Sequence, residues 1–513
     1  MPAPTPETNK GLQRLSGQRI LRNAMMLGSA QVLSMLAGLV STAWVARALG
    51  PEVYGILGFG AAFVSYFAYV VVFGTDFFGN REVASAPDRA GYVVSSILSV
   101  RIVLLGLVSI LYLLAVAASG QPEPVAIVMA IQILGLFSAG FAIDFLFQGL
   151  QRLGPVALRQ SGAALLSLLV VLLLVDGPED IYAAAAIPFS AMLISALALA
   201  WFARRTVQDI GVSLDSAALA NVLRSSGPIA IAGFLGLIYM SADIVMLGFL
   251  RPTEEVGIYA AVSRLFILSL FAGEIVTAVF SPALSAAWPE PNGMKSVYDK
   301  HLRVGNFLGV PVCAAIAAFP ETLILIVFGD AFLAGAPLLR ILALAAALSY
   351  LGMAGLAALI AWRDQKMQVA VYATAAGLNV LLNIWLIPRH GALGAAYATL
   401  LAQLAMTVFV WARIRCRFRV LEIRAPGLIL VTGTASFFAA WLIFGALPND
   451  RLSGAFWLWP TVLSGIAFAL YWTVLLALKV IDRAELVALL PGKTVTMEAP
   501  PNDQERQEDR KYR

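Results

Sequence analysis

Apolar runs long enough to cross a hydrocarbon layer recur along nearly the whole of this chain, separated by short polar breaks. A first set lies at 23–46, 54–78, 92–118, 125–150, 156–175 and 181–203, and a second at 227–250, 256–281, 304–328, 335–361, 368–388 and 392–412. A final pair lies at 427–447 and 456–479. A bilayer core of ~30 Å takes about 20 apolar residues of helix. Within lipid, backbone polar groups must be satisfied inside their own segment, which favours helices for runs of this length. The expected fold is therefore an all-α integral membrane protein of about fourteen transmembrane helices.

Composition supports lipid as the solvent. Hydrophobic residues make up 60% of 513 positions and charged residues 13%, against roughly 25% charged in a soluble domain. The net charge of +5 sits in short loops between apolar runs, so nucleic acid is not an expected partner. Cys313 and Cys416 lie in separate segments and imply neither a disulfide framework nor a metal site. The N-terminal stretch 1–22 is polar and basic, without the short apolar run and cleavage site of a signal peptide. The stretch 480–513 is polar and charged, and is expected to be a disordered tail.

Lys and Arg are distributed unevenly over alternate loops, which sets orientation. One side carries Lys10, Arg14, Arg19, Arg22, Arg81, Arg89, Arg152, Arg159, Arg204, Arg205, Arg224, Lys295, Lys300, Arg303, Arg363, Lys366 and the cluster from Arg413 to Arg424. The other carries Arg47, Arg251, Arg389 and Arg451. Both tails are expected in the cytoplasm, which requires an even number of spans. The run Arg413, Arg415, Arg417, Arg419 reads as an anchor to an anionic leaflet.

The two sets of six spans look like repeats. Gly50-Pro51-Glu52-Val53-Tyr54-Gly55 follows the first span, and Glu254-Glu255-Val256-Gly257-Ile258-Tyr259 follows the seventh. Phe147-Gln148-Gly149-Leu150-Gln151-Arg152 has a basic counterpart around Arg363-Asp364-Gln365-Lys366. Six is even, so both halves enter from the same side, as parallel repeats about an axis along the membrane normal. The expected organisation is a tail at 1–22, an N-lobe at 23–205, a linker at 206–226 and a C-lobe at 227–412. A basic loop at 413–426, two further helices at 427–479 and the tail at 480–513 complete it.

No Gly-rich phosphate loop, metal-binding His-Glu-x-x-His, Cys-x-x-Cys or nucleophile elbow is present in the sequence. The two histidines, His301 and His390, read as loop-edge residues. A transporter is expected rather than an enzyme. The informative residues are ionisable groups inside spans, which are expensive in hydrocarbon and face a cavity or one another. Asp76, Asp144, Asp243 and Glu274 read either as internal charge pairs or as a proton or cation relay, with Asp76 also able to end a helix at the interface. Arg101, Arg264 and Arg340 read either as partners of those acids or as receptors for an anionic substrate. A guanidinium matches phosphate oxygens with two parallel donors. Gln148 suits sugar hydroxyls or a helix end, and Asn379 with Asn383 suits hydrogen bonding between helices or substrate contact. Gly305 and Gly309 permit close helix packing.

Four stretches give the chain a resemblance to a known family. These are Ala46-Arg47-Ala48-Leu49-Gly50-Pro51-Glu52-Val53-Tyr54-Gly55, Phe145-Leu146-Phe147-Gln148-Gly149-Leu150-Gln151-Arg152, Asp243 through Gly257-Ile258-Tyr259, and Gly391-Ala392-Leu393-Gly394-Ala395-Ala396-Tyr397-Ala398-Thr399. In this order they resemble the polysaccharide flippases of the multidrug/oligosaccharidyl-lipid/polysaccharide exporter superfamily, although Gln151 stands where that family usually has Glu. The resemblance implies two six-helix lobes around a cationic cavity. It implies an undecaprenyl-diphosphate-linked oligosaccharide repeat unit as substrate, flipped from the cytoplasmic to the periplasmic leaflet of a bacterial inner membrane for lipopolysaccharide or exopolysaccharide synthesis. On this reading Arg101, Arg264 and Arg340 meet the diphosphate, with Gln148 also at the substrate, and Asp76, Asp144, Asp243 and Glu274 change protonation or bind sodium between states. No cofactor or metal is expected, and a polysaccharide polymerase and chain-length regulator are the implied partners besides membrane lipids.

Other classes remain open at this point. A lipid II flippase also has fourteen spans, but the first span here holds no Arg. A multidrug or cation antiporter would favour an acidic cavity. A glycan polymerase or ligase would carry a large outer loop.

Overall fold

The computed structural model describes residues 6–207, 210–211, 215–288, 291–362, 364–418, 424–446 and 458–477. All regular elements among them are helical. Helix α1 runs Pro6–Val72 and holds two spans, because it turns at Gly50 (φ 74°). That left-handed backbone suits a residue without Cβ, and Pro51 starts the next helix without an N–H to leave unbonded. Phe73 (φ 47°) and Gly74 (φ 68°) then break the expected second span 54–78, and α2 follows as Thr75–Ser85.

Helix α3 is Ala90–Ala118, and the fourth span is built from three pieces, α4 Glu123–Ile131, α5 Leu134–Phe141 and α6 Asp144–Gly149. The breaks persist because side chains take up backbone groups the helix gives away. The Tyr112 hydroxyl donates to the Met129 carbonyl at 2.5 Å, and Arg101 Nη1 donates to that of Ala142 at 2.5 Å. Helices α7 Leu153–Leu174, α8 Ile181–Thr206, α9 Ser216–Leu250 and α10 Thr253–Ala286 follow. Asp215 caps α9 by accepting from the Ala217 amide at 3.0 Å, so this helix starts inside the stretch read as linker.

Helix α11 is Pro291–Ala318 and α12 is Pro320–Val327, where a single span at 304–328 was expected. Pro320 has no N–H with which to continue α11, so it opens a new helix. Lys295, Asp299, Lys300, His301 and Arg303 therefore ride on a helix and not a loop, with Lys295 Nζ 2.5 Å from Asp299 Oδ2 one turn on. Arg159 and Arg224 likewise lie on α7 and α9. Helix α13 is Ala336–Ala361, α14 is Gln365–Phe418 with a turn at Gly391 (φ 55°), α15 is Arg424–Ala446 and α16 is Leu458–Ala477.

Ten stretches among the described residues are long and apolar enough to cross a membrane; Met26–Ser85 and Lys366–Cys416 each hold two spans. The shorter apolar helices Gly427–Ile443 and Val462–Leu475 bring the crossings to the expected fourteen. Outward-facing Leu107, Ile110, Leu111 and Leu114 on α3 are more than half exposed, as lipid-facing side chains should be. The tail 480–513, and the side chains of Lys10, Arg14, Arg19, Arg22, Arg417 and Arg419, lie outside the described residues.

The chain forms two compact units. The first gathers residues 1–265, 320–342 and 372–402. Part of its core joins Phe78, Ile97, Phe145, Phe147, Val156, Leu199 and Val222. The second gathers 266–319, 343–371 and the residues from 403 on. There Phe307 and Val310 of α11 pack on Ile429, Tyr471 and Leu475, and the Tyr471 hydroxyl donates to the Phe307 carbonyl at 3.1 Å. In the same unit Gly309 lies so close to the Tyr350 ring that an added Cβ would stand 2.1 Å from it, whereas at Gly305 the nearest atom would be 3.9 Å away, so the close packing expected of the pair is found at Gly309 alone.

Candidate functional site

The ionisable residues singled out in the sequence fall into distinct settings. Arg101 on α3 is fully buried. Its Nε donates to Thr75 Oγ1 at 2.8 Å, its Nη1 to the Ala142 carbonyl, and its Nη2 to Asp76 Oδ1 at 2.6 Å. The Phe145 ring lies 5.5 Å below the guanidinium. These contacts engage all three of its nitrogens, so Arg101 holds the break in the fourth span and the start of α2. Asp76, by contrast, keeps 49% of its side chain exposed. Arg101 thus presents a carboxylate and keeps its own charge inside.

Asp144 opens α6 and is gripped by Arg159 of α7, with Arg159 Nε 2.7 Å from Asp144 Oδ1 and Nη2 bonded to Oδ2. Both are largely buried. The fork geometry is the strong form of this pairing. Four residues on, Gln148 Oε1 accepts from Asn80 Nδ2 at 3.3 Å and links α6 to α2.

Asp243 is a different kind of acid. It lies on α9 and is buried. The Tyr259 hydroxyl of α10 donates to its Oδ2, and its Oδ1 accepts from the Ile244 amide at 2.8 Å. The Thr399 hydroxyl of α14 lies beside it. Among the described residues its hydrogen-bond partners are one hydroxyl and an amide, with no cation. A buried carboxylate without a countercharge is costly unless it takes up a proton or a cation.

Arg264 of α10 is exposed within a membrane-crossing helix, and its guanidinium lies beside the Tyr54 hydroxyl of α1. Arg340, on the first turns of α13, places Nη2 2.8 Å from Glu321 Oε1 of α12, both about half exposed. Glu274 is exposed on α10, in the second unit. Asn383 Nδ2 donates to Asn379 Oδ1 at 2.9 Å, and both side chains are buried. Asn379 Nδ2 and Asn383 Oδ1 have no partner among the described residues. His301 is no loop-edge residue. It is buried on α11, stacks on Phe280 at 5.3 Å and places Nε2 3.2 Å from Thr277 Oγ1.

Several partners were missed by sequence reading: Thr75, Arg159, Tyr259, Glu321 and Tyr54. Glu321 carried a signal, as an acid immediately after Pro320 within an apolar stretch. Arg159 did not, because a basic residue at a span end is read as a loop marker. Arg47, read as an outer-loop residue, instead caps α12. Its Nε donates to the Val327 carbonyl at 3.0 Å and its Nη2 to those of Leu325 at 3.2 Å and Ile326 at 2.5 Å.

A family model described as polysaccharide biosynthesis protein matches residues 20–288, more than half of the 513 residues. A "Probable low-salt glycan biosynthesis flippase" of Haloferax volcanii is 26% identical over 176 residues, covering 34% of this chain and 37% of that protein. A "Putative O-antigen transporter" of Escherichia coli K12 is 24% identical over 254 residues, 48% of this chain and 60% of that protein. The chain thus spans 37% and 60% of the lengths of these two relatives. Among solved structures, a lipid II flippase in an inward closed conformation superposes with a TM-score of 0.71 at 14% identity, over 88% of this chain and 99% of that one. At that identity the likeness establishes the fold, and the matched sequence establishes the kinship: this multi-pass membrane protein belongs to the polysaccharide biosynthesis protein family.

Proposed function

We propose that the chain is a flippase for a lipid-diphosphate-linked oligosaccharide repeat unit, moving it from the cytoplasmic to the periplasmic leaflet by alternating access. The observation that carries this reading is Arg264. It is an exposed guanidinium inside a membrane-crossing helix, beside a neutral phenol and with no acid bridged to it among the described residues. Facing lipid, such a charge would be very unfavourable, so it belongs to a water-filled path. There it offers a diphosphate the planar donor set that phosphate recognition uses. Arg340 supplies a second, half-exposed guanidinium whose partner Glu321 balances it when no substrate is present. Arg101 then acts by positioning Asp76 and does not touch substrate.

Asp243 is the residue proposed to couple flipping to an ion gradient, since a proton or sodium ion would neutralise a buried acid that lacks a cation. Asp76 lies at the mouth of the path, while Asp144 serves the bundle through Arg159. The loop charge bias supports cytoplasmic tails and a plasma-membrane location.

Deletion tests the function directly. Loss of the protein is expected to block surface polysaccharide while lipid-linked repeat units accumulate on the cytoplasmic side. Accumulation of bare lipid carrier, or of units already exposed outside, would instead indicate a synthetic or polymerising enzyme. Accumulation of lipid II would indicate a peptidoglycan precursor as substrate.

A further inference from the structure

Where α1 restarts after Gly50, its backbone meets the start of α10 with nothing between them. A Cβ built on Gly55 would stand 1.8 Å from the Thr253 carbonyl oxygen and 2.7 Å from the Gly257 amide nitrogen. A Cβ built on Gly257 would stand 1.8 Å from the Pro51 carbonyl oxygen and 2.8 Å from the Gly55 nitrogen. The contact is reciprocal. Pro51 stands to Gly257 as Thr253 stands to Gly55, and the same 202-residue step separates Pro51 from Thr253 and Gly55 from Gly257. One turn deeper, a Cβ on Gly58 would lie 3.0 Å from the Ala260 Cβ. The seam therefore joins the matching segments of the two sequence repeats, and only glycine lets it close this far.

Beside the seam, Tyr54 is buried, edge-on to Phe332 at a centroid distance of 6.0 Å, and its hydroxyl lies beside the Arg264 guanidinium. Tyr54 adjoins Gly55 on α1, and Arg264 lies on α10 beyond Gly257. Parting the two glycines must therefore pull Tyr54 away from Arg264.

We infer that the Gly55–Gly257 seam is a gate, that the Tyr54–Arg264 contact latches it shut, and that a diphosphate arriving at Arg264 releases the latch. Tyr54 is then a positioning residue that ties substrate recognition to opening. A phosphate oxygen is a charged acceptor and forms a stronger bond to guanidinium than a neutral phenol does. The substrate thus competes for the group that holds the gate. The release step rests on the diphosphate reading given above; the seam and latch do not.

The test uses the purified full-length protein with Cys313→Ser and Cys416→Ser, and Ala260→Cys as a reporter buried in the seam. The maleimide labelling rate of that cysteine reads gate opening. Tyr54→Phe is expected to raise the rate about fivefold, the shift that loss of one polar contact of ordinary hydrogen-bond strength produces. Gly55→Ala, which blocks closure sterically, is expected to raise it at least as far. Inorganic pyrophosphate is expected to raise it in the parent protein and to add nothing after Tyr54→Phe. Labelling unchanged by Gly55→Ala overturns the gate, and labelling unchanged by Tyr54→Phe overturns the latch. Faster labelling after Tyr54→Phe, with no response of the parent to pyrophosphate, upholds the latch and overturns its release by diphosphate.

Discussion

Arg101 Nη2 stands 2.6 Å from Asp76 Oδ1, and the two ends of this bridge differ: the guanidinium is shut away from solvent while half of the carboxylate is open. Removing the arginine would empty a buried site, leave the Ala142 carbonyl unpaired and take the cation from Asp76, while Thr75 Oγ1 would keep its bond to the Val72 carbonyl. Arg101→Ala should therefore cost roughly 1–3 kcal/mol, the usual range for leaving a buried polar group unpaired. Protein level and thermal unfolding in detergent should both fall, and Arg101→Lys should restore them only in part. Were Arg101 a substrate receptor, the alanine variant would stay at normal level and lose only flipping.

The pair Asp144–Arg159 makes a second expectation. Each single change, Asp144→Asn or Arg159→Gln, leaves one largely buried charge alone and should destabilise strongly. The double change removes both charges and should be less damaging than the sum of the two singles, a coupling that a double-mutant cycle on melting temperature measures. Additive losses would mean that the pair contributes little.

Much of this arrangement was legible in the sequence. The apolar runs pointed to fourteen crossings, and Gly50-Pro51 and Gly391 stood at span boundaries, where glycine takes the left-handed angles found there without steric cost. Other features were not legible. A span broken into three pieces reads as one apolar run, since its breaks are stabilised by Tyr112 and Arg101 from another helix. Pairs such as Arg340–Glu321 and Asp243–Tyr259 join residues on different helices, and hydrophobic periodicity carries no information on which polar side chains meet. Arg101 was read as a candidate receptor because burial depth within a bundle cannot be seen from sequence alone.

Asp243 carries the coupling claim. Asp243→Asn keeps one acceptor oxygen for the Ile244 amide and lets the Tyr259 hydroxyl turn to accept from the new NH2, but removes the group that can take up a proton or sodium ion. In vesicles with imposed gradients, flipping by this variant should lose its dependence on the gradient while protein incorporation stays normal. Tyr259→Phe, which removes a donor to the carboxylate, should shift that dependence without abolishing it. Unchanged gradient dependence in Asp243→Asn would place coupling elsewhere, with Asp76 and Glu274 next in line.

Outside the spans, Arg413 holds Asp364 below the usual carboxylate range through a hydrogen bond of 3.0 Å. A depressed folded-state value means that the contribution is complete above the ordinary Asp value of about 3.9 and is lost as pH falls through the lower folded one. Asp364→Asn should therefore lower stability at pH 7 by less than about 1 kcal/mol, because the bridge is partly exposed. The two proteins should converge as the solution is taken below pH 4, a comparison that paired thermal melts at several pH values would make.

The central claim is that Arg264 recognises the diphosphate of a lipid-linked oligosaccharide during flipping. Proteoliposomes loaded with an undecaprenyl-diphosphate-linked oligosaccharide, and probed with an enzyme or lectin that reaches only one leaflet, measure it directly. Wild-type protein should make the inner pool accessible, Arg264→Ala should abolish that movement at equal incorporation, and Arg264→Lys should restore part of it, since it keeps the charge and loses the two-pronged geometry. Transfer by Arg264→Ala at the wild-type rate would contradict the account.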